Sequence, residues 1–387
     1  SIGLVGSEMC IRDSQYVIDI LISEGWLSNN LRIHESENHD FRLIPLGPMC
    51  PAKLPPPLDN YPISMKEGVP DSRKRPDWST ILRGKIGTDV LSKYEPFWPK
   101  SHEIIGDIMI LKIEAEVRQF REEISESMLL AHPKLRVVLE DRGVMGTYRI
   151  RDTLPLAVRS GRDLLLGTKI NEVRSKVDVK ESGCIITCDP VTAYYSSRLQ
   201  TERIHTADEA EELRDQIGNS INVADPFCGV GPALAHLVNR PGLVNSLLAS
   251  DLNPNAVKLL NENLSRWTKK KIDPEVTAFT KWDGNLWSGV EDANNLPLKK
   301  DLRGIWNLLI INLPHSFTTC LAPLLPLMDF EKPSLIRGRL VCKSDDLENI
   351  RSSISDLLPA YSDVKINPRN DYSPSVKLCS VTIRTSG

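Results

Sequence analysis

Four short polar clusters, each placed to follow an apolar run, are where this 387-residue sequence could carry out chemistry. The first is Val223-Ala-Asp-Pro-Phe-Cys-Gly-Val-Gly-Pro232, in which Asp225, Phe227, Gly229 and Gly231 form a turn between an apolar strand and a helix expected over 233–238. Glycines there let the backbone approach a ligand at the carboxyl end of the first strand, where open α/β sheets bind cofactors. Twenty residues past Gly231, a second apolar run ends in Asp251-Leu-Asn253-Pro254. An acid at that strand end accepts hydrogen bonds from the ribose hydroxyls of a bound nucleoside. The position three after Gly231 is Leu234. The third glycine that a dinucleotide's pyrophosphate needs is therefore absent, and the loop suits a nucleoside without phosphates better than NAD. Trp282-Asp283-Gly284 and Asn312-Leu313-Pro314 supply the third and fourth clusters, polar groups for an adenine amino group and for a reacting substrate.

The elements that must position these clusters alternate. From residue 208 onward the pattern runs helix, strand, helix, strand, with apolar strands expected at 222–227, 247–251, 276–280 and 308–312. That rhythm predicts an α/β, Rossmann-like doubly wound sheet over 201–387. Residues 78–200 mix strands (108–113, 135–139, 183–189) with a helix over 115–131, an α+β domain. On the 183–189 strand Cys184, Ile186 and Cys188 share one face and read as core. Residues 15–47 read as a small module, with a helix carrying Tyr16, Val17, Ile20 and Leu21. Six prolines in residues 48–62 remove backbone donors, so 48–77 reads as a linker. Residues 1–14 read as a non-native, adapter-derived segment and take no part in the fold reasoning.

Apolar residues at 41% and charged residues at 26% are those of an ordinary globular protein, which excludes wholesale disorder and fibrous architectures. A net charge of −3 gives no overall pull toward nucleic acid, leaving local basic runs such as 73–75 and 269–271 as the phosphate contacts available. The eight cysteines form no C-x-x-C pair and no zinc-spaced cluster, so no metal is expected and reduced thiols in a cytoplasm fit. No run of eighteen apolar residues exists to span a membrane.

Taken together, these residues resemble the archaeal and eukaryotic type of tRNA (guanine37-N(1))-methyltransferase. The likeness rests on Asp225 to Pro232, Asp251-Leu-Asn-Pro254 and Asn312-Leu-Pro314. It extends to Glu181-Ser-Gly183, Asp189, Tyr194-Tyr-Ser-Ser-Arg-Leu199, Thr201-Glu-Arg203, His102 to Ile108, Gly146-Thr-Tyr-Arg149 and Tyr372-Ser-Pro374. The resemblance implies a class I methyltransferase fold, S-adenosylmethionine as cofactor and tRNA as partner; a monomer is expected because nothing in the sequence resembles a dedicated oligomerisation element. Asp225, Phe227, Gly229, Gly231, Asp251, Asn253, Asp283, Asn312 and Pro314 would then form the cofactor site. The N1 atom of guanine carries a proton at neutral pH, so methylation there needs a base and a donor to the neighbouring carbonyl oxygen. By the resemblance Glu202 is the base, Arg149 the donor and Asn312 an orienting group. Tyr194, Tyr195, Arg198 and Arg203 would wall the pocket for the extruded base. Ala233, Cys228 and His315 depart from the family pattern and alter pocket walls, not reacting groups.

Three rivals stay open at this point. One is a related tRNA enzyme that transfers the aminocarboxypropyl group of the same cofactor. The others are a non-catalytic RNA-binding relative and a dinucleotide oxidoreductase.

Overall fold

The computed structural model describes residues 3–387 apart from 7–10, 29, 30, 36–41, 48, 62, 66, 67, 70, 72–75, 149 and 374. The basic run 73–75 thus lies outside the described residues. The chain divides into two compact units, residues 1–95 with 126–133, and residues 96–125 with 134–387.

The first unit holds a helix at Ile11–Ser23 and a four-stranded sheet of Gly3–Gly6, His34–Glu35, Arg42–Pro45 and Ile63–Met65. Two stretches left out of the expected fold take part in this unit. Gly3–Gly6, set aside as adapter-derived, pairs antiparallel with both Arg42–Pro45 and Ile63–Met65. The proline-rich stretch is not a free linker either: Leu54 and Leu58 are buried with Val17, Leu21, Ile44 and Leu46. Prolines deny a segment ladder hydrogen bonds, but they do not stop the leucines between them from leaving water.

In the second unit a five-stranded sheet, in chain order, comprises His102–Ile105, Ile108–Leu111, Val137–Met145, Ile150–Ser160 and Asp163–Leu166. The helix expected over 115–131 begins as a 3-10 helix, Ala115–Phe120, and continues as an α-helix, Arg121–Ala131. A separate hairpin pairs Val177–Glu181 with Cys184–Cys188.

The remaining residues wind a single sheet. Its strands are β1 (Ile221–Asp225), β2 (Val244–Asp251), β3 (Thr280–Lys281), β4 (Leu286–Val290), β5 (Leu308–Ile311), β6 (Ser334–Lys343), β7 (Ser362–Ser373) and β8 (Val376–Thr385), in the order β3-β4-β2-β1-β5-β6-β8-β7. The pairs β4-β2, β2-β1, β1-β5 and β5-β6 are parallel, and the two edges are antiparallel. Alternate side chains divide each buried strand between two cores. Ala224, Leu248, Leu309 and Ile336 face one that includes helices α4 (Phe317–Leu324) and α5 (Leu347–Ser355). Val223, Leu247, Leu308 and Leu335 face the other, with α1 (Gln200–Ile217), α2 (Pro232–Val238) and α3 (Pro254–Thr268). Strands apolar on both faces need helices on both, so the expected doubly wound sheet follows from the sequence pattern.

One strand expectation is wrong. The third parallel strand is β4, 286–290, and not 276–280, which lies alongside it and contributes the parallel bridge Ala278↔Val290 and the antiparallel pairing of Thr280 at the start of β3. Gly289 in the middle of β4 reads in sequence as a break. The structure requires it: φ is +152°, and a Cβ there would stand 2.5 Å from the Phe279 backbone nitrogen and 2.6 Å from the Ala278 carbonyl oxygen.

Candidate active site

The loop 189–199 and the start of α1 are built by two buried carboxylates. Glu103 accepts from the Ser196 hydroxyl (2.6 Å), the Ser197 backbone N–H (3.1 Å) and Arg151 (2.5 Å). Glu181 accepts from the Tyr195 hydroxyl (2.6 Å) and from Arg203 (2.7 and 2.9 Å), and His236 Nε2 lies 2.9 Å from it. Arg203 also donates to the Ser196 carbonyl at 2.8 Å. Burial by itself would raise the Glu181 carboxyl. The His236 hydrogen bond, the Arg203 charge and the Tyr195 hydroxyl outweigh burial and bring it down to about 2. These contacts fix the first turn of α1, where Glu202 and Arg203 sit side by side.

The 177–188 hairpin docks on the same helices. Asn263 of α3 bonds both the N–H and the carbonyl of Thr187 and the carbonyl of Val230, and the Trp267 indole donates to the Ile185 carbonyl. As expected, Cys184, Ile186 and Cys188 are buried.

Between β1 and α2 the glycine turn has φ of +55° at Gly229 and +82° at Gly231. A Cβ on Gly231 would lie 2.8 Å from Leu260 Cδ1 and 3.3 Å from the Trp267 ring. Strain and overlap together predict that Gly231→Ala loses about 1–3 kcal/mol. Differential scanning fluorimetry reads this as a lower melting temperature, and an unchanged one would contradict the packing described. Asp251, at the end of β2, accepts from the Gly229 N–H (2.9 Å) and the Asn253 N–H (2.9 Å), and so ties the turn to the neighbouring strand. Cys228 donates to the Ser250 carbonyl at 3.2 Å.

A pocket opens at the carboxyl ends of β1 and β5, beside the middle of β6. Asp225, Phe227, Glu202, Arg203, Asn312, Arg337 and Arg339 are among its lining residues. Asp225 is buried, accepts from the Phe227 N–H at 3.2 Å, and has no cation against it among the described residues. Burial, helped by the Asp251 charge, lifts its carboxyl to about 7. Burial also raises Asp251. Glu202 is held by Arg337 (3.5 Å) and Arg369 (3.1 Å).

The structure therefore brings together Glu202, Arg203, Asp225, Phe227 and Asn312, with Gly229, Gly231 and Asp251 in the adjoining turn. Pro314 follows β5, and its carbonyl accepts from the Val341 N–H. Other expected residues sit differently. Asp283 precedes β4, at the opposite end of the sheet, with its side chain exposed and 3.5 Å from Lys270. That position follows from the misplaced third strand. The true strand is followed by Glu291-Asp292, which the sequence reading missed, although Leu286 to Val290 was the apolar run that could have found it. Asp292 caps the following turn by accepting from the Asn294 N–H. The Asn253 side chain is buried and accepts from the Asn255 N–H while donating to the Thr192 carbonyl, a positioning duty and not an open ligand site. Tyr195 is buried on Glu181, whereas Tyr194 and Arg198 are exposed, with the Arg151 guanidinium 5.5 Å from the Tyr194 ring centroid. Arg149 lies outside the described residues.

Among the described residues there is no His, Cys, Asp or Glu cluster that could hold a metal, and no helix long and apolar enough to cross a membrane. The seven described cysteines are free.

Residues 177–278 match the TRM5/TYW2 methyltransferase domain, a stretch that begins at the hairpin and contains the glycine turn and Asp251. Residues 79–157 match the TYW2 N-terminal domain. The tRNA (guanine(37)-N(1))-methyltransferase Trm5b of Pyrococcus abyssi is 28% identical over 255 residues, which is 66% of each chain. A tRNA (guanine(37)-N(1))-methyltransferase of Trichomonas vaginalis is 27% identical over 215 residues, covering 54% of this chain and 51% of its own. The chain thus matches between half and just under two thirds of these relatives' length. The crystal structure of Pyrococcus abyssi Trm5b superimposes over the whole of both chains with a TM-score of 0.63 at 22% identity, a likeness of fold. That a TRM5/TYW2 match should start at residue 177 agrees with the docking of the hairpin onto α2 and α3.

Proposed function

We propose that this protein transfers a methyl group from S-adenosylmethionine to the N1 atom of guanosine 37 in tRNA. One observation carries the reading: Glu202, Asp225 and Asn312, distant in sequence, line one pocket at the carboxyl ends of the parallel strands. The names of the related methyltransferases support the substrate. The donor set supports the cofactor. Asp225 is a buried and Asp251 a half-buried acceptor, neither with a cation partner among the described residues, so both suit hydroxyl and cationic groups, and the turn lacks the third glycine for a pyrophosphate. When bound, S-adenosylmethionine supplies an electrophilic methyl group.

In this reading Asp225, Phe227, Gly229, Gly231, Asp251, Asn312 and Pro314 hold the cofactor. Glu202 takes the N1 proton of guanine, and Arg149 and Asn312 steady the base edge. Tyr194 and Arg198, exposed beside the pocket, receive the extruded base, while Tyr195 and Arg203 hold their loop in place. The small module of the first unit contacts tRNA, and the protein works as a cytoplasmic monomer, for which free cysteines suit a reducing compartment. The deciding experiment incubates unmodified tRNA bearing guanosine 37 with labelled S-adenosylmethionine and digests the product to nucleosides. Absence of 1-methylguanosine, with an active enzyme of the same type working in parallel, ends the reading. Transfer of the aminocarboxypropyl group is the second reading, favoured by the match of residues 79–157 to the TYW2 N-terminal domain. The mass of the product nucleoside separates the two.

The buried Asp225 gives this reading a pH signature. With its carboxyl at about 7 in the free protein, a cationic ligand that prefers the ionised form must expel a proton below that pH. S-adenosylmethionine affinity is expected to fall about tenfold from pH 8 to pH 6. Calorimetry in buffers of different ionisation enthalpy should show proton release near pH 7. Asp225→Asn is expected to abolish that release, and its persistence in the variant would take Asp225 out of the cofactor site.

A further inference from the structure

The pocket contains three guanidiniums, and two of them are spent. Arg203 is bound to Glu181 and the Ser196 carbonyl. Arg337 is bound to Glu202, Glu209, Thr206 and Thr382. Arg339 is different: it lines the pocket, is half-buried, and its side chain has no hydrogen bond or ion pair to any described residue. Five N–H donors partly withdrawn from water call for an acceptor. Its place says where that acceptor lies. Ile311 pairs with Gly338, so Arg339 comes one position further along β6, beside Asn312 at the end of β5. Burial bears against its charge and is the larger effect, while the Glu202 carboxylate favours it. It therefore faces the space that the proposed function gives to the reacting base edge, between the residue that takes the proton and the residue that steadies the base.

The geometry points to Arg339 as a catalytic residue that donates hydrogen bonds to the carbonyl oxygen adjoining the reacting ring nitrogen of the target purine. There it meets the negative charge that develops on the oxygen as the nitrogen loses its proton. This inference rests on the reading of the site as a guanine N1 methyltransferase.

The test compares wild type, Arg339→Gln and Arg339→Lys on tRNA carrying guanosine 37 and on the same tRNA carrying 6-thioguanosine there. Arg339→Gln is expected to lower kcat about 100- to 1000-fold, the scale of losing one donor to a developing oxyanion, with the tRNA KM and cofactor affinity within about threefold of wild type. Sulfur is a poor acceptor, so the thio substrate should slow wild type strongly and slow the glutamine variant little further. Arg339→Lys keeps the charge but loses the planar fork and should fall between. If the glutamine variant does not fold, the lysine variant with the thio substrate carries the same comparison. An unchanged kcat overturns the assignment. So does a rise in tRNA KM alone with a shallower salt dependence, which would mark a phosphate contact, or a parallel loss of cofactor affinity, which would mark a cofactor contact. A wild-type protein that makes no 1-methylguanosine removes the functional reading itself, whereas an active wild type with an indifferent Arg339 removes only this inference.

Discussion

Replacing Glu202 by glutamine is expected to slow methylation about 100- to 10,000-fold while leaving S-adenosylmethionine affinity within about threefold. Glutamine keeps the shape of the side chain and its place in the first turn of α1, but it cannot take a proton. The fold should survive the change. Glu202 retains 27% side-chain exposure; its pair with the exposed Arg369 is worth about 0–1 kcal/mol, and the buried Arg337 keeps Glu209 as a charged partner. The loss should therefore appear in kcat. Glu202→Asp keeps a base but withdraws it by one methylene, and misplacement on the order of 1 Å can cost about 100-fold. The order wild type, aspartate, glutamine in kcat, at constant cofactor affinity, is the outcome that proton abstraction requires. If cofactor affinity drops as far as the rate, Glu202 is a wall of the cofactor site and the base must be sought elsewhere.

What could be read ahead of the structure divides along physical lines. The doubly wound sheet was legible because β1, β2 and β5 are apolar on both faces, and that pattern has few other solutions. The glycine turn was legible because φ above zero at Gly229 and Gly231 writes itself into residue type. β4 was not, because the backbone of Phe279 crosses its middle and demands a glycine there, which mimics a strand break. Asp283 was chosen in consequence of that error. The roles of Asn253, Tyr195 and Arg203 were hidden for another reason. Their partners, the Thr192 carbonyl and Glu181, are set by tertiary packing, and a polar residue in a motif looks the same whether it faces a ligand or its own fold. The same holds for Arg337 and Arg369, which reach Glu202 from strands more than 130 residues away.

Substituting alanine for Glu181 is expected to destabilise the second unit by about 3–5 kcal/mol near neutral pH, because it strands the buried Arg203 charge without its bidentate partner. Glu181 is also where the hairpin, α1 and α2 meet, through Tyr195, Arg203 and His236. Glu181→Gln should cost less, since an amide oxygen can still accept from Tyr195 and Arg203 although it offers no charge. The pH dependence identifies the cause. With the carboxyl held at about 2 in the folded protein against an ordinary 4.5, its ionised form stabilises the fold above that ordinary value. The benefit is lost as pH falls from about 4.5 toward about 2. The gap in urea midpoint between wild type and Glu181→Gln should therefore be widest above pH 5 and narrow through that acid window. Activity should fall with the fold in the alanine variant, because Arg203 loses its anchor and with it the bond that holds the Ser196 carbonyl and the loop carrying Tyr194. A midpoint shift in the alanine variant worth less than about 1 kcal/mol would mean that the buried charges are solvated or repaired by neighbours. The loop beneath the reacting base would then owe its position to the Glu103 contacts with Ser196 and Ser197 alone.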